Sequence, residues 1–412
     1  MTMRLLDRRA LLSMGGAAVV LPTVACASAG VVDTPSPLSP LSDLAEAGAP
    51  QTWAAQAAAA LDPGVEALFL EGLPYQGRTT RVFAIRGRPE GAGPHPGIVL
   101  VHGGGGTAYA EWVQRWAAAG FVAISVAVEG QTDAQGSGGR DRWVRHQWAG
   151  PARDGIYGDI DRPVADQWMF HAVGAAILAR NLLKADPSVV PDRVGLCGTS
   201  WGGVITATTI GLVPDFAFAI PIYGAGYLDR MDNQYASLAR RQSYAALWEP
   251  GLRLARYRNP SLWINWPGDQ HFSLDVHALS YGEVAGVHAV ALRPGMRHNH
   301  SAGWSAPESY AFARSVIETG SPWGVMRSAS VTGGRAQAEF SSSKPLVSGE
   351  LVWSPDQGHT GQRAWTTVTA DVRQGPDGYS LSAALPAEAR GWFINAKSGD
   401  LILSSDFQSR QI

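Results

Sequence analysis

The residues best suited to chemistry lie in one short turn, Gly198-Thr199-Ser200-Trp201-Gly202. An apolar run ends just before the turn at Cys197, and a stretch with helical character follows it. Glycine two residues on either side of a serine fits the G-x-S-x-G motif, in which a strained strand-to-helix turn exposes the serine hydroxyl as a nucleophile. Side chains at the glycine positions would collide with the strand and the helix. The alternative is a glycine-rich turn around a buried serine, so the other catalytic groups have to be found elsewhere in the chain.

A nucleophilic serine needs a base and an acid that orients the base, and with this motif they follow in the order Ser, Asp/Glu, His. The acid candidate is Asp269, which comes directly after the predicted strand that ends at Trp266. Asp275 falls inside the next predicted helix and fits a cap or a surface charge. A structural alternative for Asp269 is an aspartate that stabilises a turn.

Two histidines, His298 and His300, follow the last predicted strand of the α/β region. We prefer His300 as the base because the small residues Asn299 and Ser301 flank it, as a histidine on an exposed tight loop requires. His298 lies beside bulky Arg297 and is the second candidate. The sequence leaves the choice between them open.

Backbone N–H groups are the expected donors for an oxyanion. One candidate is the N–H of Trp201, the residue after the serine. The others are those of Gly104 and Gly105, in a glycine run that begins at His102. The run could instead cradle a phosphate, but no Gly-Lys-Ser/Thr follows it.

A different chemistry would use His271, His298 and His300 as metal ligands, since the H-x-H spacing permits it. No nearby Glu or Cys completes a usual set of ligands. We therefore expect no metal, and the serine chemistry implies no cofactor.

The elements that must position these residues alternate between strand and helix. Continuous β-branched runs such as Pro96–Val101 are typical of strands that are buried on both faces of a parallel sheet. The pattern predicts an α/β fold with a right-handed, mostly parallel sheet flanked by helices. Further strands are predicted at 121–128, 216–222, 261–266 and 287–292, and helices at 109–119, 164–184, 235–247, 274–285 and 307–318.

Four other segments complete the predicted organisation. Residues 30–62 are interpreted as a lead-in whose proline-rich first part is flexible. The catalytic domain is predicted over 63–320, and within it the long polar segment 129–162 suggests a lid or a cleft wall. Residues 326–412 are rich in Ser, Thr and Gly with short alternating strands, which predicts a small C-terminal β-sandwich domain.

The N-terminus has the pattern of an export signal over residues 1–29. Arg8 and Arg9 precede an apolar stretch and small residues near Cys26, as in a twin-arginine leader. Lipid attachment at Cys26 is the minor alternative. The apolar stretch is too short for a comfortable membrane span, so we expect a periplasmic or secreted protein without a stable span in its mature form. Cys197, the other cysteine, would then have no internal disulfide partner.

The composition restricts the class of function. The chain has 412 residues, of which 45% are hydrophobic and 17% charged, with a formal net charge of −2. Such a chain is globular rather than disordered, and its charge gives no reason to expect nucleic acid as a partner. The oligomeric state is left open.

Nine short segments of the chain together resemble bacterial α/β-hydrolases of the dienelactone hydrolase-like, acetylxylan esterase type. The resemblance covers about residues 60 to 318, and the β-rich tail resembles the family's C-terminal extension. It implies an α/β-hydrolase fold and a serine nucleophile at Ser200. It also places the family's histidine on His300, where Asn299 and Ser301 replace glycines. The matching segments are His102–Ala108, Glu111–Val113, Asp166–Trp168, Gly198–Gly203, Pro221–Gly224, Leu262–Asn265, Gly268–Asp269, His271–Asp275 and Met296–Trp304.

The leading hypothesis is an exported serine carboxylic-ester hydrolase that acts on small acyl esters or on acetylated polysaccharide. Ser200, His300 and Asp269 would form the catalytic set. A serine peptidase of the same fold is one alternative, although no acidic pair for a peptide amine is evident. A non-catalytic protein that binds carbohydrate through Trp353, Trp365 and Trp392 is another, but these side chains more simply fill the sandwich core.

Overall fold

A computed structural model describes residues 36–137 and 142–409 of the chain. The predicted export signal at 1–29, with Cys26, lies outside the described residues. From Pro37 onward the described residues form one compact unit. Within them, none of the helices has the length and the apolar composition needed to cross a bilayer.

The described part of the chain contains helices and strands in alternation, followed by strands alone. The α-helices are α1 Ser39–Ala45, α2 Ala110–Ala118, α3 Trp168–Ala185, α4 Trp201–Leu212, α5 Gln242–Leu247, α6 Leu274–Gly282, α7 His300–Trp304 and α8 Pro307–Thr319. The first strands are β1 Thr52–Ala54, β2 Val65–Glu71, β3 Arg81–Gly87, β4 His95–Val101, β5 Val122–Val126, β6 Gln131–Gln135, β7 Trp143–Arg145, β8 Val189–Thr199, β9 Ala219–Ile222, β10 Ser261–Asn265 and β11 His288–Leu292. The C-terminal strands are β12 Gly324–Thr332, β13 Arg335–Ser342, β14 Ser348–Ser354, β15 Thr366–Gly375, β16 Gly378–Ala384, β17 Gly391–Ser398, β18 Leu401–Ser404 and β19 Gln408–Ser409.

The main sheet has the order β1-β2-β3-β5-β4-β8-β9-β10-β11. Strands β5, β4, β8, β9, β10 and β11 pair in parallel, whereas β1, β2 and β3 pair antiparallel to their neighbours. Because the strands from β4 onward are connected through helices, their carboxyl ends share one edge of the sheet. This confirms the predicted α/β fold.

Helices cover both faces of the sheet. Alternate residues of β4 pack to opposite sides: Ile98 lies in the cluster with α2 and α8, and Val99 lies in the cluster with α3, α4 and α6. Both side chains are fully buried. Burial on both faces explains the continuous apolar runs, because a strand between two helical layers has no side that faces solvent.

The lead-in differs from its prediction, because residues 39–45 form α1 rather than a flexible segment. Leu41 is fully buried in the core, and the helix packs on α3. There Asn181 donates from Nδ2 to the carbonyl oxygens of Leu44 at 2.8 Å and Ala47 at 3.1 Å. The prolines suggested a flexible segment, but Pro40 lies in the first turn of the helix, where proline is tolerated.

The C-terminal region is a β-sandwich that continues the main sheet. Strand β15 pairs with β14 through Thr366–Ala370 and with β16 through Asp371–Gly375, so it passes from one layer to the other. Leu351 and Leu381 are fully buried in the cluster between the layers. Strand β18 pairs with β11, and the Ser404 hydroxyl accepts a hydrogen bond from the N–H of Leu292 at 2.7 Å.

The contact between α1 and α3 predicts that Leu41→Ala lowers the free energy of unfolding by about 2–4 kcal/mol, because a fully buried leucine leaves a cavity. Chemical denaturation of the two proteins measures the difference. The matched control is Leu252→Ala, since Leu252 is 59% exposed and its truncation should change stability by only about 0.5 kcal/mol. Equal effects of the two substitutions would contradict a packed α1.

Candidate active site

Ser200 lies at the tip of a strained turn between β8 and α4. Its φ is 56° and its ψ is −120°, a region that non-glycine residues occupy only when their surroundings enforce it. A Cβ atom on Gly198 would lie 2.1 Å from the carbonyl oxygen of Gly202, and one on Gly202 would lie 2.0 Å from that of Val101. Both glycines of the motif are therefore required by backbone contact, and the strand-to-helix context of Ser200 is as predicted.

His298 bridges Ser200 and Asp269. Its Nε2 lies 2.9 Å from the Ser200 Oγ, and its Nδ1 lies 2.7 Å from the Asp269 Oδ2. All three residues follow the carboxyl ends of parallel strands, β8, β10 and β11. This geometry corrects the sequence-based preference for His300: the second candidate, His298, is the one within reach of the serine.

The reason for the correction lies in the local structure after β11. The bulky neighbour of His298, Arg297, is exposed and does not crowd the ring. The small residues around His300 serve another purpose: Asn299 caps α7 by accepting from the N–H of Ala302 at 2.9 Å. His300 is thus the first residue of a short helix rather than the tip of a loop.

Aromatic rings hold the His298 imidazole in place. Phe272 stacks on it with ring centroids 6.0 Å apart and an angle of 15° between planes, and the Tyr223 ring lies 4.4 Å away. The Tyr223 hydroxyl donates to the carbonyl oxygen of Asn299, the residue that follows His298. Sequence reasoning did not assign a role to Tyr223, although it lies in the Pro221–Gly224 segment that carries the family resemblance.

Asp269 is almost fully buried, with 1% of its surface exposed. Its Oδ1 accepts from the backbone N–H groups of His271 at 2.8 Å and Phe272 at 2.9 Å. These two bonds fix the carboxylate and leave Oδ2 for His298. A carboxylate held in this way can orient an imidazole and stabilise its protonated form.

His300 instead supports the glycine run after β4. Its Nε2 accepts from the Gly103 N–H at 2.9 Å, and its Nδ1 lies 3.4 Å from the Tyr109 hydroxyl. Because Nε2 is an acceptor, the ring is neutral. Burial, reinforced by the neighbouring His102, lowers the pKa of His300 to about 4, which keeps the ring neutral at ordinary pH.

The backbone donors around Ser200 differ in part from those predicted. The Gly105 N–H points to the Glu129 Oε1 at 3.3 Å, because Gly105 has a φ of +69° and turns the chain. This N–H is therefore already bonded to Glu129, and this corrects its predicted role as an oxyanion donor. Among the described residues, the N–H groups of Gly104 and Trp201 donate to no protein acceptor. The Gly104 backbone lies against the Trp201 side chain, since a Cβ on Gly104 would be 2.9 Å from Trp201 Cδ1.

An open cavity of about 920 Å³ lies in front of Ser200. Part of the predicted lid forms one wall, through Arg153 to Gly158, and residues 234–241 contribute another. The Arg153 guanidinium lies 5.3 Å from the centroid of the Trp201 ring and pairs with Glu129 at 3.1 Å. Sequence reasoning missed Arg153 because a lone arginine in a polar segment carries no local pattern.

The aromatic residues of the predicted lid have separate structural roles. Trp143 donates from its indole N–H to the carbonyl oxygen of Gly105 at 2.9 Å, which supports the glycine run. Tyr157 is buried, and its ring packs 5.5 Å from that of Trp201. His146 and Trp148 pack against Phe69 instead.

The three histidines that were considered as metal ligands face different protein groups. His298 contacts Ser200 and Asp269, and His300 contacts Gly103. The Nδ1 of His271 lies 2.8 Å from the Gln234 side-chain amide. Within residues 36–137 and 142–409, no group of three or more His, Cys, Asp or Glu side chains is arranged to hold a metal ion.

The tryptophans of the C-terminal region pack against other aromatic side chains. Trp392 is buried and pairs across the strands with the half-buried Trp353. Trp365 packs against Phe393 and Phe407, with ring centroids 6.0 and 6.2 Å apart. These contacts favour the interpretation that they fill the core.

The fold and this constellation define the class of protein, an α/β hydrolase. The sequence profile of the dienelactone hydrolase family matches residues 82–242, so the chain contains a dienelactone hydrolase family domain. That match spans β3 to α5 and includes Ser200. No curated protein matches the chain significantly.

Solved structures that share the fold include two acetyl xylan esterases. One is acetyl xylan esterase 1 from Thermoanaerobacterium sp. JW/SL YS485, which is 16% identical with a TM-score of 0.50; the alignment covers 64% of this chain and 87% of that one. The other is an acetyl xylan esterase from Paenibacillus sp. R4, which is 17% identical with a TM-score of 0.51 and coverage of 64% and 88%. At these identities the likeness establishes the fold.

The surroundings of His300 predict a lowered pKa for its ring. In histidine-labelled protein followed by NMR, the ring should titrate near pH 4 rather than near 6.5. Because the unfolded chain binds this proton up to about pH 6.5 and the folded chain does not, the group makes folding less stable as pH falls from 6.5 to 4. His300→Gln should make that dependence shallower. A midpoint near 6.5 would contradict the buried, neutral ring.

Proposed function

We propose that the protein is a serine hydrolase of carboxylic esters, with Ser200 as nucleophile, His298 as base and Asp269 as the orienting acid. One observation carries the proposal: the continuous hydrogen-bonded path from Asp269 through His298 to Ser200, with distances of 2.7 and 2.9 Å. The strained turn that presents the Ser200 hydroxyl to an open cavity supports the same assignment.

The proton transfers of the reaction use Ser200 and His298, which are already within hydrogen-bond distance. The Ser200 Oγ attacks the ester carbonyl carbon while His298 Nε2 takes the hydroxyl proton. The carbonyl oxygen becomes an oxyanion, which the N–H groups of Gly104 and Trp201 stabilise. As the tetrahedral intermediate collapses, the carbon–oxygen bond to the alcohol breaks and His298 returns the proton to the leaving alcohol.

The resulting acyl-enzyme is hydrolysed by the reverse sequence. A water molecule gives a proton to His298 while its oxygen adds to the acyl carbon. The second intermediate then breaks the bond between the acyl carbon and the Ser200 Oγ, which takes the proton back from His298 as the acid is released. Asp269 keeps the Nδ1 proton of His298 directed away from the serine throughout, so that Nε2 is always the atom that exchanges the proton.

The proposed substrate is an acetyl ester on a polysaccharide. The cavity is open and about 920 Å³ in volume, so a small acyl group can reach Ser200 while a larger alcohol portion extends outward. The choice of acetyl and polysaccharide rests on the family resemblance of the sequence. Export to the periplasm or medium is part of the same proposal and rests on the pattern around Arg8 and Arg9.

Ser200→Ala should abolish release of p-nitrophenol from p-nitrophenyl acetate and of acetate from acetylated xylan. The expected loss in kcat is about 10⁴-fold or more, because the nucleophile is removed while the N–H donors remain. Thr208→Ala is a control in the buried interior of the same helix, away from the cavity. Unchanged hydrolysis by Ser200→Ala would reject the proposal, and cleavage of peptide but not ester substrates would reassign the substrate class.

Two histidine variants separate the candidate bases. His298→Ala should lower kcat by about 10³-fold or more, because general-base catalysis and the activation of Ser200 are lost together. His300→Gln should have a much smaller effect, because a glutamine oxygen can still accept from the Gly103 N–H. Steady-state kinetics with p-nitrophenyl acetate measures both. The opposite ranking would restore His300 as the base.

A further inference from the structure

The C-terminal β-sandwich contacts the loop that carries Asp269. The contact comes from a short 3₁₀ helix, Thr360–Gln362, between β14 and β15. His359 caps this helix, since its Nδ1 accepts from the Gly361 N–H at 3.1 Å. The helix is close in space to Asp269, although about ninety positions separate them in the sequence.

Gly361 and the Asp269 loop pack backbone against backbone. A Cβ on Gly361 would lie 2.0 Å from the Asp269 carbonyl oxygen, 2.5 Å from its carbonyl carbon and 2.8 Å from the Gln270 nitrogen. The φ of Gly361 is outside the left-handed region, so glycine is needed for space and not for backbone conformation. Even one methyl group would have to displace the Asp269 backbone.

A second contact holds the other end of the same loop. The Thr360 hydroxyl accepts from the backbone N–H of Leu274 at 2.7 Å, and both residues are buried. Leu274 begins α6, and the preceding Ser273 makes no side-chain cap. Thr360 therefore satisfies a helix N-terminal donor from a distant part of the chain.

Asn233 gives the same loop further support. Its Nδ2 donates to the carbonyl oxygens of Gln270 and His271, each at 3.0 Å, and lies 3.3 Å from the His359 Nε2. The loop after Asp269 is thus contacted both by Asn233 and by the 3₁₀ helix Thr360–Gln362. The N–H groups that fix the carboxylate, those of His271 and Phe272, belong to this loop.

We propose that Gly361 and Thr360 are positioning residues: the C-terminal sandwich sets the place of Asp269 and, through it, the orientation of His298. The inference rests on the proposed function. It gives the sandwich a role in the reaction that does not require it to bind substrate.

The test uses the full chain with Gly361→Ala and, as matched control, Gly375→Ala. Gly375 is exposed in the same sandwich, has no atom within 4 Å of a built Cβ and has no left-handed φ. Gly361→Ala should lower kcat for p-nitrophenyl acetate about 10²-fold with KM within about twofold, as expected for a misplaced catalytic group. Gly375→Ala should behave as wild type.

A spectroscopic measurement distinguishes positioning from general damage. The proton between His298 Nδ1 and Asp269 should give a far-downfield ¹H NMR resonance in the wild type and in Gly375→Ala. It should be lost or shifted in Gly361→Ala while the remaining spectrum stays dispersed. Retention of this resonance together with wild-type kcat in Gly361→Ala would overturn the inference.

Thr360 provides an independent test should Gly361→Ala fail to fold. Thr360→Val keeps the shape but removes the acceptor for Leu274, and should lower kcat about fivefold, in line with one lost hydrogen bond. Thr360→Ser should restore it. Equal kcat in all three proteins would overturn the inference.

The labelling of Ser200 by a fluorophosphonate probe separates this inference from the proposed function. A wild-type protein that is not labelled at Ser200 would count against the proposed function. If the probe labels Ser200 in the wild type, and labels Gly361→Ala and Thr360→Val at the same rate, the proposed function is supported. The inference about positioning residues would then be wrong.

Discussion

The close backbone contact at the Ser200 turn is the constraint on which the site depends. Strand β8 and helix α4 approach so tightly that a Cβ on Gly198 would meet Gly202, and a Cβ on Gly202 would meet the end of β4. This contact holds Ser200 in a strained conformation that it would not adopt alone. It also brings the glycine run after β4 beside the serine, so one packing arrangement places both the hydroxyl and the neighbouring N–H groups.

The remaining groups are held by loops that other parts of the fold support. The Asp269 carboxylate is fixed by the N–H groups of His271 and Phe272, and the loop that supplies them contacts Asn233 and the C-terminal sandwich. His298 is held between aromatic rings. The sheet thus supplies a common edge, and contacts from distant segments give each loop its final position.

Local pattern predicted some features and misjudged others. The apolar runs predicted the parallel strands because burial on both faces leaves a continuous pattern. The lead-in prolines suggested flexibility, yet α1 forms because its Leu41 is buried in the core and the distant Asn181 donates a hydrogen bond to its Leu44 carbonyl oxygen. The small neighbours of His300 indicated a tight loop, whereas Asn299 caps a helix.

The sequence by itself determined the α/β fold, the turn around Ser200 and the places of Asp269 and the two histidines after the ends of strands, because glycine spacing and apolar periodicity are local properties. Only the tertiary structure decided which histidine meets the serine, since His298 and His300 are two residues apart and differ in their distant partners. It likewise directed the Gly105 N–H to Glu129 and brought Gly361 against Asp269. Such contacts depend on how distant segments pack together, so no local sequence pattern predicts them.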